Sequence, residues 1–78
     1  MNYLLKITLK AARVNSNLNL VEAAEKFGIN KDTLWKYERD STNVPRTFFI
    51  QIEGVYGIPV DNIFFGNVSE FFRNMSTA

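Results

Sequence analysis

Three observations predict an all-α fold of five short helices around one core. Apolar residues recur at helical spacing, side chains suited to capping stand at the heads of those runs, and glycines close them. The clearest run holds Leu20, Ala23, Ala24 and Phe27 at i, i+3, i+4 and i+7, a single stripe on one helical face. A chain of 78 residues is one domain. At that length it buries only about 60 to 65% of its unfolded surface, for which a compact helical core is the economical solution. With 46% hydrophobic and 14% aromatic residues it belongs among globular rather than disordered chains.

Taken in order, the first segment runs from Tyr3 to about Val14, where Leu5, Leu9 and Ala12 at i, i+4 and i+7 give an amphipathic helix. Asn15, Ser16, Asn17 and Asn19 then favour turns and caps over helix interiors, so the chain loops. Asn19 followed three residues later by Glu22 is a capping-box signature, which starts the second helix at Leu20. Gly28 ends it, because a residue just past a helix end commonly enters the left-handed region that glycine tolerates. Asn30 caps a third helix beginning at Lys31. There Leu34, Tyr37 and Glu38 share the inner side, while Asp32, Lys36 and Arg39 point away.

Arg39 to Arg46 reads as a polar loop closed by Pro45. Thr47 is the expected cap of the fourth helix, whose buried face is Phe48, Ile52, Val55 and Tyr56 and whose end is Gly57. Ile58 and Pro59 lead into a short fifth helix at Val60 to Phe65, before Gly66. These elements place one domain at residues 1–66 and a tail at 67–78. In the tail, Ser69 caps a further turn that brings Phe71, Phe72 and Met75 together. Such an apolar patch calls for a cover. Either it packs on the fifth helix or it forms a dimer contact, the second being favoured.

Charge and composition narrow the function. Net charge is only +1, yet residues 1–46 carry eight Lys and Arg against five Asp and Glu, and residues 47–78 carry one against three. An electropositive surface therefore belongs to the first half. No stretch reaches the roughly 18 apolar residues of a membrane span and the amino terminus lacks a signal-peptide pattern, so a cytoplasmic protein is expected. Histidine and cysteine are both absent. With no glycine-rich phosphate loop and no nucleophile beside a base, an enzyme is not expected, nor a cofactor, a metal site or a small-molecule substrate.

The ordered set of Ala24 at the crossing of two helices, Gly28 and Ile29 in the turn, and Leu34 and Tyr37 behind the second helix resembles the lambda-repressor-like helix-turn-helix family of Cro and Xre type regulators. The resemblance extends upstream through Leu9 to Arg13 and downstream through Pro45 and Phe48 to Gly66, covering roughly residues 3 to 66. It implies a five-helix DNA-binding domain whose second motif helix enters the major groove, about 12 Å wide. It also implies an ion pair, Arg13 with Glu38, that ties the first helix to the reading helix; two independent surface charges are the bland alternative.

Carried over residue by residue, the resemblance assigns base reading to Lys31, Asp32, Thr33, Trp35 and Lys36. Lys31 and Lys36 would donate to guanine, and Asp32 would accept from cytosine or simply favour the helix dipole. Thr33 would bond a phosphate or touch a thymine methyl. Trp35 would either pack partly inward or lie against sugar and a thymine methyl. Arg39, Thr42, Asn43 and Arg46 would hold phosphates, which positions a protein without reading sequence. Many family members carry glutamine where this chain has Leu20, so the side-chain network at that helix end is not carried over. The implied function is a homodimeric, sequence-specific regulator of double-stranded DNA, most simply a repressor acting by promoter occlusion. A protein-interaction module of the same fold, such as an antitoxin or scaffold, is the alternative.

Overall fold

The first three helices begin where a side chain satisfies one of the otherwise orphaned amide groups of the first turn. A computed structural model describes residues 6–77, with side chains through 73. Helix α1, Leu9–Asn15, is capped by Thr8, whose hydroxyl accepts from the Ala11 N–H at 3.1 Å. Helix α2, Leu20–Phe27, carries the full capping box, with Asn19 Oδ1 accepting from the Glu22 N–H at 2.8 Å and Glu22 accepting from the Asn19 N–H at 2.9 Å. Gly28 follows at φ 74°, and the Ile29 N–H closes the helix on the Ala24 carbonyl at 3.0 Å. Helix α3, Lys31–Arg39, starts under the Asn30 side chain, which accepts from the Thr33 N–H at 2.9 Å.

The second half departs from the sequence reading in three places. The single fourth helix is two, α4 at Arg46–Phe49 and α5 at Ile52–Tyr56, with Ile50 and Gln51 between them. Pro45 rather than Thr47 stands at the head of α4, and the Thr47 carbonyl instead accepts from the Gln51 amide at 2.7 Å. Proline suits a helix head because its lost N–H would have had no partner there. The fifth helix is one 3-10 turn, Val60–Asn62, and its Val60 N–H is held by the Glu53 carboxylate at 2.9 Å. Further on, helix α6 spans Val68–Thr77, longer than the turn expected for the tail. Asn67, not Ser69, caps it by accepting from the Glu70 N–H at 3.2 Å.

The amino-terminal boundary also shifts. Lys6 to Thr8 precede α1, and Ile7 forms an isolated parallel bridge with Ile63 through bonds of 2.9 and 2.8 Å. The expected contribution of Tyr3 and Leu5 lies outside the described residues. The core joins Leu9 and Ala12 of α1, Ala23, Ala24 and Phe27 of α2, Leu34 of α3, Phe48 of α4, Ile52 and Tyr56 of α5, and Ile63. Phe27 is its aromatic hub: it packs on Phe48 at 4.4 Å and takes Tyr56 edge-on at 5.3 Å. Helix α3 rests on α2 and also meets α1 and α6, so it is supported along its length by three other helices.

Candidate nucleic-acid interface

Helix α3 is divided lengthwise by its sequence. Leu34 is fully buried and Glu38 nearly so, while Lys31, Asp32, Trp35, Lys36 and Arg39 are exposed and Thr33 is half-buried. The inner stripe holds the helix, which leaves the outer residues free to meet a ligand without disturbing the core. Each predicted base-reading residue except Thr33 therefore lies on solvent.

Glu38 is anchored from α1. Its carboxylate receives the Arg13 guanidinium in a two-bond grip, Nε to Oε2 at 2.7 Å and Nη2 to Oε1 at 3.2 Å, with side chains only 11% and 5% exposed. Arg13 also donates to the Leu18 carbonyl at 3.1 Å, which fixes the loop between α1 and α2. The hydrogen bond to Glu38 raises the Arg13 pKa above its ordinary value, with burial opposing. The neighbouring Tyr56 hydroxyl is buried with no hydrogen-bond partner among the described residues. Burial first, and the Glu38 charge second, push its pKa up, so it stays protonated.

On the outer face one pair of opposite charges meets. The Lys31 ammonium lies 3.3 Å from the Asp32 carboxylate, both well exposed, a contact of little energetic weight that solvent readily exchanges. Trp35 is 48% exposed, which places it between the two positions expected of it, and the Arg39 guanidinium lies 4.6 Å from its ring centroid. That stacking orients Arg39 along the helix while its donors remain available.

The loop after α3 is more structured than its polar sequence suggested. Asp40 accepts from both the Thr42 N–H and the Thr42 hydroxyl, and those bonds hold its pKa below the usual carboxylate range. The Thr42 donors are thereby engaged, and a phosphate must displace Asp40 to reach them. Asn43 and Arg46 are exposed. Sequence reasoning missed the clamp beneath them. Ser41 is buried, its N–H donates to the Gly66 carbonyl at 3.0 Å, and its hydroxyl accepts from the Gly66 N–H at 2.9 Å. Asn67 adds a bond to Asp40 at 3.4 Å. The segment leading into α6 thus holds the loop.

Phe71 is half-buried, with its ring 4.5 Å from Phe64 and 5.3 Å from Phe72. Phe72 is 54% exposed. The Met75 side chain lies outside the described residues.

A helical core that presents one anchored helix outward, behind a glycine turn, defines the class of helix-turn-helix proteins. A family model described as helix-turn-helix matches residues 9–63, and the chain belongs to that family, the Cro/C1 or lambda-repressor-like branch of DNA-binding transcription regulators. A search of curated proteins finds no match. Among the described residues, no helix is long and apolar enough to cross a membrane.

Proposed function

We propose that this protein is a sequence-specific double-stranded DNA-binding repressor that acts as a homodimer in the cytoplasm by occluding a promoter. The observation that carries the reading is the division of α3, a buried Leu34 and Glu38 beneath an exposed row of Lys31, Asp32, Trp35, Lys36 and Arg39. Inserted in the major groove, Lys31 and Lys36 read guanine edges, Asp32 accepts from cytosine N4, and Thr33 and Trp35 supply contacts to sugar or a thymine methyl. Arg39, Asn43 and Arg46 bind phosphates, joined by Thr42 once DNA displaces its bonds to Asp40. Phe72 forms the dimer contact. Recognition of this kind needs neither cofactor nor catalysis.

The exposed Trp35 and Phe72 also suit the second reading, an interaction module such as an antitoxin or scaffold. Salt separates the two. Titration of a mixed-sequence duplex should show affinity falling steeply and linearly on logarithmic axes as salt rises, because each neutralised phosphate releases condensed counterions. Absence of duplex binding even at low salt would favour the interaction module.

A further inference from the structure

Helices α3 and α6 wall a cleft of about 430 Å³ beside the outer face, closed by Lys10 of α1 and Leu20 of α2. Its apolar lining is Leu20, Trp35, Val68 and Phe72. Its acidic residue is Glu38, whose carboxylate is already held by both bonds from Arg13. That leaves Lys10 and Arg39, both exposed and neither in an ion pair among the described residues. Arg39 lies over the Trp35 ring, so one cation and one aromatic face meet at the same spot. The volume falls in the range of small-molecule sites, roughly 300 to 1,000 Å³.

Complementarity then defines the occupant. A neutral apolar molecule would cover two cations without pairing them, and a small hydrophilic anion would leave the apolar walls wet. We propose that the cleft binds a small amphipathic organic anion, its apolar body against Leu20, Trp35 and Val68 and its carboxylate taken by Lys10 and Arg39. Occupancy engages Arg39, so the ligand competes with a phosphate for that guanidinium. This regulatory consequence rests on the DNA-binding reading above, whereas the binding itself does not.

The test uses the full chain without DNA. Trp35 is the sole tryptophan, so its emission reports on the cleft directly. Octanoate should give a saturable change, while octan-1-ol, which lacks the charge, and acetate, which lacks the tail, bind at least about tenfold more weakly. Lys10→Gln, at an exposed position, should weaken octanoate about tenfold, the weight of one charge-assisted hydrogen bond, and leave the melting curve unchanged. Octan-1-ol matching octanoate, an unaltered affinity in Lys10→Gln, or no saturable response overturns the assignment. So does a response to an acidic, leucine-rich peptide but not to octanoate, which would give the cleft to a protein partner.

Discussion

Arg13 and Glu38 lie 25 positions apart in the chain yet share two hydrogen bonds, and each is nearly hidden from solvent. A buried pair of this kind is costly to break singly, because the survivor keeps its charge without water or partner. Arg13→Ala should therefore destabilise the fold by about 3 to 5 kcal/mol, whereas replacing both residues with methionine should recover most of that loss. Denaturant melts of the two variants decide; equal losses in both would show that packing, not the stranded charge, sets the cost. On the outer face the residues divide by role. Lys36→Ala should cost about 1 to 3 kcal/mol and relax preference at one base pair, while Arg46→Ala should weaken every sequence similarly and lower the salt slope by about one. Competition binding against a panel of single-base variants reads both effects.

Residue-level features were legible where a side chain has one dominant use. Asn19 with Glu22, and Asn30 before Lys31, were readable because a capping acceptor works within three residues of sequence. The Arg13 to Glu38 pair came only through family resemblance, since spacing alone does not bring two distant charges together. Asp40 with Thr42 is a local bond of the same type that the polar loop concealed, and the Ser41 to Gly66 clamp depends on tertiary placement that no local pattern carries.

Among elements, α2 and α3 form the best-defined unit, because caps, periodicity and the glycine turn agree. Gly28 sits at φ 74° with open space where a Cβ would go, so Gly28→Ala suffers backbone strain alone, about 1 kcal/mol. Gly54 lies within α5, also in open space, and Gly54→Ala should stabilise by roughly 0.5 to 1 kcal/mol through its better helix propensity. Opposite signs in chemical denaturation are the expected outcome, and a loss at Gly54 would mean that α5 tolerates no added methyl. The region from Thr47 onward was read with the right core residues and the wrong boundaries. Phe48, Ile52 and Tyr56 fit one helical stripe, yet the chain uses two short helices in place of one. Periodicity finds the buried face and is blind to a short interruption. In the tail, Asn67 three residues before Glu70 was the better signal, and it marks a helix rather than a turn.

For the molecule as a whole, the charge asymmetry and the placement of α6 bear on how the reading helix is used. The net positive half of the sequence contains α1 to α3 and the loop that follows. Helix α6 packs on α3 from the side, and its leading segment braces the loop through Ser41 and Asp40. If two copies join, the operator should be an approximate palindrome with half-sites about one helical turn, roughly 34 Å, apart. Sedimentation at rising concentration should show self-association that Phe72→Glu abolishes; a monomer throughout would remove the dimer from the account.

Selection of bound duplexes from a random pool, sequenced after capture at low and at near-physiological salt, separates sequence reading by α3 from bare phosphate affinity. A two-fold symmetric motif should be enriched and should persist at the higher salt. Retention that yields no motif and disappears as salt rises would contradict specific reading by α3.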